Sequence, residues 1–358
     1  MKTHLRAWLG VYLFVLALLI RFFLSLSNKL FESIYFNNLF RYIRYGQDGL
    51  SAILPVPGYY LIFVLLLGWL IWRRPSPIKS GRSWKIFGRR TANLLGTFGA
   101  LFLLLWGYNY LDRGIAERMH LKEAPDRSQL GETYLQTMER AMAFRSQIPK
   151  IDLVATVEDI TEIPNDQTIG NWVATTLQDL GYPENINIRV RHIRPDGALR
   201  RLSISGIYNP FTGEANVDNA LGPLQKTFTI AHEIAHGHGI TGEADANFVA
   251  YLACIQSGVP LAQYAAEYVL WRHLASEVRS HYPESIAAQL AAAIPEALRK
   301  DREAIWRNHY QYKGYFPEIS DAINDTYLKV QGVDAGTDDY DRFVNLYFDW
   351  LATYQINK

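Results

Sequence analysis

The chain has 358 residues, 49% of them hydrophobic, with 36 basic and 35 acidic side chains and a formal net charge of +1. That length holds one sizeable folded domain plus additional segments. The balanced charge gives no electrostatic reason to expect nucleic acid as a partner, and the single cysteine, Cys254, excludes an intrachain disulfide.

The apolar content is concentrated in the first third. Three stretches, about 5–26, 51–72 and 91–111, reach the roughly 20 residues that cross a ~30 Å hydrocarbon core. Arg21 interrupts the first and can snorkel from near a helix end. Pro55 and Pro57 fall at the start of the second, where proline is tolerated, and the third carries no charge. Trp72, Trp106 and Tyr108 stand toward the ends, as an aromatic belt does. Ser25-Leu26-Ser27-Asn28-Lys29 offers no small-x-small cleavage site, so the first stretch reads as a retained helix and not a signal peptide. Between the first two stretches, Phe31, Ile34, Tyr35, Leu39, Tyr42 and Ile43 recur at mixed helical spacing. They suit a helix along the membrane interface or one packed on the other segments.

Arg73, Arg74, Lys79, Arg82, Lys85, Arg89 and Arg90 lie between the second and third stretches with no acidic residue to offset them. Such loops stay in the cytoplasm. The N-tail with Lys2 and Arg6 then also lies inside, and everything after the third stretch lies outside. The sequence thus predicts a membrane region of three transmembrane helices over 1–111, with the lipid bilayer as a partner, and a second domain over 112–358.

From Asp112 the chain turns polar and mixed. Helices are expected over Ser128 to Gln147 and Gln167 to Leu180. Ile186 to Ile193 and Leu202 to Tyr208 alternate as strands do. Asn209-Pro210-Phe211-Thr212-Gly213 is a turn, and Glu214 to Val217 returns from it. After Gly222-Pro223 the pattern is helical almost to the end, including the Ala- and Leu-rich run Glu284 to Arg299. The fold class is α+β: transmembrane helices, a small sheet, then a mainly helical C-terminal subdomain.

His232-Glu233-Ile234-Ala235-His236 carries the chemistry. Four-residue spacing puts both imidazoles on one helix face, where they can hold one ion, and Glu233 can act as general base toward a water on that ion. Zn2+ suits such a set because it accepts nitrogen and oxygen ligands and keeps a position open. Two surface histidines on an amphipathic helix are the alternative. Gly237 and Gly239 mark where the chain turns. Glu243 then opens a second helical segment and is favoured as third ligand, with His238 and Asp245 as alternatives. Asn247 shares the face of Glu243 and is placed to orient a ligating group. Cys254 reads as a small buried residue. The segment Gly206 to Asp218, with Tyr208, Glu214 and Asn216, is either an edge strand for an extended peptide substrate or a plain hairpin. Tyr327, Lys329 and Tyr340 are candidate donors to a substrate or transition-state oxygen.

At these residues the chain resembles the glutamate-zincin peptidases, in which His-Glu-x-x-His is followed by a glutamate on the next helix. Glu243-Ala244-Asp245-Ala246-Asn247 matches that second part, although only six residues separate His236 from Glu243. The resemblance makes Glu243 the third ligand and Asn247 its support. Over nearly its full length the chain also resembles a bacterial membrane family, domain of unknown function 3810. The matching stretches are Ile53-Leu54-Pro55, Tyr208 to Asn216, Phe228 to Glu233, Glu243 to Cys254 and Tyr327-Leu328-Lys329, with Tyr340. The resemblance implies a bacterial cytoplasmic membrane and a zincin-like domain, which the basic loop described above places on the external, periplasmic side. Two functions follow as expectations. One is a membrane-anchored zinc metallopeptidase that hydrolyses a peptide or protein substrate. The other is a non-catalytic zinc-binding sensor or scaffold.

Overall fold

The computed structural model describes residues 8–73, 81–121, 127–153, 156–183, 186–312 and 342–356. The chain divides into two compact units. The first comprises Met1–Asp112 with Asn209–Glu214, and the second Arg113–Tyr208 with Ala215–Lys358.

In the first unit, α1 (Leu9–Ser25) is followed by a helical stretch from Asn28 that continues as α2 (Arg41–Ile53). Within that stretch Phe31 and Tyr35 are buried, Tyr35 against Tyr108, whereas Ile34, Leu39 and Tyr42 stay exposed. Then come α3 (Gly58–Arg73) and α4 (Gly81–Leu105). No single described helix is long and apolar enough to cross a membrane. Asn28–Ile53 and Gly58–Trp72 pass that test together, but with an 86° bend between them, and Leu9–Ser25 is a shorter apolar helix. The three expected spans are therefore corrected in detail. Residues 51–53 finish α2, because Pro55 and Pro57 lack the N–H groups that would carry the helix on. The third begins ten residues earlier than expected, at Gly81, and takes Lys85, Arg89 and Arg90 into its first half.

Glu214 caps α3. Its carboxylate accepts from the Gly58 N–H at 2.8 Å and from the hydroxyls of Ser51 and Thr212, each at 2.8 Å. A negative group at a helix N-terminus meets orphan N–H donors and the positive end of the dipole. Buried Arg44 donates to the Gly213 carbonyl at 2.9 Å, and Gln47 donates to that of Pro210 at 2.7 Å. The turn 209–214 thus takes its partners from α2 and the start of α3. These bonds join residues more than 150 positions apart, which no local pattern announces.

In the second unit, α5 (Leu130–Ser146) and α6 (Asp166–Asp179) precede a small sheet of β1 (Val190–Ile193), β2 (Gly206–Asn209) and β3 (Glu214–Asp218). The order is β1-β3-β2, and β1 runs parallel to β3 with Val190 opposite Ala215. Helices follow: α7 (Pro223–Gly237), α8 (Glu243–Ile255), α9 (Pro260–His281), α10 (Glu284–Ala292), α11 (Glu296–Gln311) and α12 (Arg342–Ile356). The Ala- and Leu-rich run Glu284 to Arg299 falls on two helices: the first ends at Ala292, and Pro295 is the N-cap of the second. At the centre lies α8, buried from Ala244 to Cys254 and touched by α6, α7, α9 and α12. A mostly helical chain with a small three-stranded sheet among its described residues is the α+β class.

Candidate metal centre

Pro223 starts α7 at a position where its missing N–H is no loss. Leu224, Phe228, Ile230, Ala231, Ile234 and Ala235 are buried, which fixes the helix's rotation. His232 and His236 then meet edge to face, with ring centroids 4.7 Å apart. Beyond the helix end, Gly239 adopts φ +96°, in the left-handed region that glycine enters freely. That reversal lets Glu243, the first residue of α8, come back to the histidines.

Three donor atoms converge. The Nε2 atoms of His232 and His236 lie 3.1 Å apart. The Glu243 carboxylate is 3.2 Å from Nε2 of His232 and 3.6 Å from that of His236. A tetrahedral ion with bonds of about 2.0–2.1 Å requires ligand atoms roughly 3.3–3.4 Å apart, so these edges fit. The far sides of the rings agree. His232 Nδ1 lies 2.9 Å from Asn247 Oδ1, and His236 Nδ1 lies 2.7 Å from the Ile240 carbonyl. An acceptor at each Nδ1 keeps a proton there, so Nε2 is the atom each ring would offer to an ion. His232, His236 and Glu243 are the one such ligand group among the described residues.

Glu233 is buried on the neighbouring turn. The Tyr208 backbone N–H donates to its carboxylate, while Oε2 has no hydrogen-bond partner among the described residues. β2 passes so close that a Cβ at Gly206 would lie 2.7 Å from Glu233 Cγ. Only glycine allows that approach. Burial pushes the Glu233 carboxyl up to about 7; the two histidines and the Tyr208 N–H oppose the rise and Glu243 adds to it. For His236, burial pulls downward, but the Glu243 carboxylate outweighs it and holds the imidazole up at about 9. For Glu243, burial pulls upward, and the attraction of His236 with the hydrogen bonds of both imidazoles overrides it, holding the carboxyl well below its usual range. In the absence of metal, His236 and Glu243 therefore form an ion pair.

The remaining sequence candidates fall elsewhere. His238 is the buried C-cap residue of α7, outside the cluster. Asp245 packs beside Gly114 and Gly242. Cys254 is buried in α8 with its thiol pushed up to about 12 by burial, as suits a core residue. Tyr208 lies on β2, an edge strand among the described strands. Glu214 and Asn216 do not belong to an edge: β3 is the central strand and is buried throughout, because β1 pairs with its other side. Glu214 instead caps α3, and Asn216 donates to the Ile207 carbonyl at 3.3 Å. Tyr327, Lys329 and Tyr340 lie outside the described residues. Sequence reasoning missed the Ile240 carbonyl and the Tyr208 N–H, since backbone groups leave no residue-type signal.

Fold and site define the class: a mostly helical α+β protein whose consecutive helices present two histidines and a carboxylate able to hold a metal ion. The chain belongs to the family described as protein of unknown function DUF3810, whose model matches residues 35–348. No curated protein and no solved structure matches it.

Proposed function

We propose that the protein is a membrane-anchored metallopeptidase with a zincin-like catalytic domain, in which His232, His236 and Glu243 hold Zn2+ and Glu233 is the general base. The observation that carries this reading is the unpartnered Oε2 of buried Glu233, beside the ligand cluster. A site that only stores or senses metal needs the three ligands and has no use for a buried carboxylate left half unbonded. Bound zinc would supply Lewis acidity toward a water and a scissile carbonyl. Glu233, poised near neutrality, takes the proton of the attacking water on Oε2 and passes it to the leaving amine. Tyr208 N–H and the close backbone of Gly206 hold that carboxylate in place. Asn247 and the Ile240 carbonyl fix the tautomers of the two histidines. An extended peptide can add along β2 by main-chain hydrogen bonds.

The membrane reading rests on side chains. α1 buries only Gly10, Ala17 and Leu24, and on it and α3 Phe22, Phe63, Leu65 and Trp72 are each at least 66% exposed. Apolar surface of that extent suits lipid better than water. We place the chain in a bacterial cytoplasmic membrane as a multi-pass protein, with the residues after Asp112 on the external side. An impermeant maleimide applied to intact spheroplasts should label Ser128→Cys and not Ser83→Cys, while native Cys254, being buried, stays silent. The reverse labelling would invert the topology.

The activity is tested with the full chain in neutral detergent, loaded with zinc and offered a diverse peptide pool. Hydrolysis should be abolished by a chelator and restored by zinc. Glu233→Gln should bind zinc at the same stoichiometry and lose hydrolysis by about 10²-fold or more. Zinc binding with no hydrolysis in either form would favour the sensor or scaffold instead.

A further inference from the structure

A second candidate site lies between α9 and α11, a cavity of about 970 Å³ lined by residues of both helices. α9 contributes Arg272 and Arg279, seven residues apart and so on one face; α11 contributes Arg302 and Arg307. Glu303 is the one carboxylate in the lining, so four positive charges face one negative. None of the four guanidiniums forms an ion pair with a carboxylate among the described residues. Asp301, adjacent to Arg302 in sequence, is committed to Arg145 at 2.6 Å and to the Tyr264 hydroxyl at 2.8 Å. The charge is felt locally: His273 is pushed down to about 4, by burial first and then by Arg272.

The lining also has an apolar part. Trp306 and Tyr310 are 53% and 54% exposed, and their rings lie 4.9 Å apart at 44°. On the floor, the Arg302 guanidinium stands 5.9 Å above the ring of buried Trp271. Large aromatic rings left open beside unneutralised arginines give a surface with two chemistries. The forked guanidinium matches the oxygens of a phosphate, and several together offset more than the single charge of a carboxylate. The open rings offer a face to an apolar or aromatic body.

We propose that the groove between α9 and α11 is a binding site for a phosphate-bearing anion with an apolar or aromatic body, held by Arg272, Arg279, Arg302 and Arg307 and packed on Trp306 and Tyr310. It requires no metal and does not depend on the reading of α7 and α8. A lipid headgroup and a soluble organic phosphate share this chemistry, and the test separates them.

The full chain in neutral detergent is titrated with phenyl phosphate, with dihexanoyl phosphatidylglycerol and with zwitterionic dihexanoyl phosphatidylcholine, followed by calorimetry. At least one of the two anionic probes should bind, and the zwitterionic one should bind at least about ten-fold more weakly. Preference for phosphatidylglycerol assigns the site to lipid, and preference for phenyl phosphate to a soluble ligand. Replacing exposed Arg272 and Arg307 together by Gln should weaken binding by about ten-fold or more with the unfolding midpoint unmoved, and Trp306→Ala should weaken it further. Glu243→Gln should leave it unchanged. Silence toward both anionic probes would overturn the proposal. So would binding indifferent to the arginine pair, or tighter binding of a short polyglutamate peptide.

Discussion

Two buried carboxylates of the second unit are treated in opposite ways. Asp218 closes β3 and accepts four backbone N–H groups: Gly197 and Ala220 on one oxygen, Leu199 and Arg200 on the other, at 2.8 to 3.1 Å. Glu233 on α7 receives one N–H, from Tyr208, and keeps Oε2 bare. Neither is exposed to solvent beyond 4%. A carboxylate saturated with donors is locked in one geometry, which serves a fold. One left open, with its pKa raised toward neutrality by burial, can exchange a proton, which serves a reaction.

The widest separation between the two comes from removing each in turn. Glu233→Gln should lower peptide hydrolysis by about 10²–10⁴-fold and leave the thermal midpoint level or raised, since an amide removes a buried charge that was only half compensated. Asp218→Ala should do the reverse. Four N–H groups lose their acceptor, costing about 3 kcal/mol, or roughly 6–12 °C in Tm, while the protein that remains folded should take up zinc as the parent does. Calorimetric unfolding alongside metal analysis decides it. A Glu233→Gln variant that melts as early as Asp218→Ala would erase the distinction and return Glu233 to the frame.

The contrast marks how far sequence could reach. His232, Glu233 and His236 were legible because helical spacing places them by local geometry, and Gly239 and Glu243 because a turn and a new helix have residue-type signals. The small sheet and the helical C-terminal part were legible from periodicity. Strand order was not. Nothing within Glu214 to Asp218 shows that β1 covers its second side, so Glu214 and Asn216 read as edge residues. Glu214 illustrates the cause: its partners Ser51 and Gly58 are 163 and 156 residues away. Asp218 was overlooked for a related reason, since its partners are backbone groups supplied by a loop. The apolar runs showed where apolar helices lie, but the break at Pro55 and Pro57 and the early start of α4 needed coordinates.

Asn247 sharpens the comparison at smaller scale. Its amide oxygen accepts from His232 Nδ1 at 2.9 Å, so it would act on a bound ion only through the ring it orients. Asn247→Ala should weaken zinc binding by about 10–100-fold, with Asn247→Asp restoring most of it, because either oxygen can accept that N–H. Competition against a chromophoric chelator measures both. Unchanged affinity in Asn247→Ala would show that the ring needs no support and that α8 contributes Glu243 alone.

The last test uses pH, and its effect is about ten-fold per unit. His236 in the metal-free protein is held up at about 9, against an ordinary value of 6.5, with burial opposing and the Glu243 carboxylate prevailing. Below pH 9 a metal must expel that proton. Glu243 is already ionised across this range and releases none. Apparent zinc affinity should therefore fall about ten-fold for each unit of acidification between pH 8 and 6, and level off above 9. Stability of the metal-free protein runs the other way. A folded-state pKa above the unfolded one stabilises fully below about 6.5, and that contribution is lost as pH rises through 9. Raising the pH should thus strengthen zinc binding and lower the metal-free Tm over the same interval. A zinc affinity flat from pH 6 to 8 would mean that His236 is neutral without metal. The ion pair with Glu243 would then not be what holds the site together before an ion arrives.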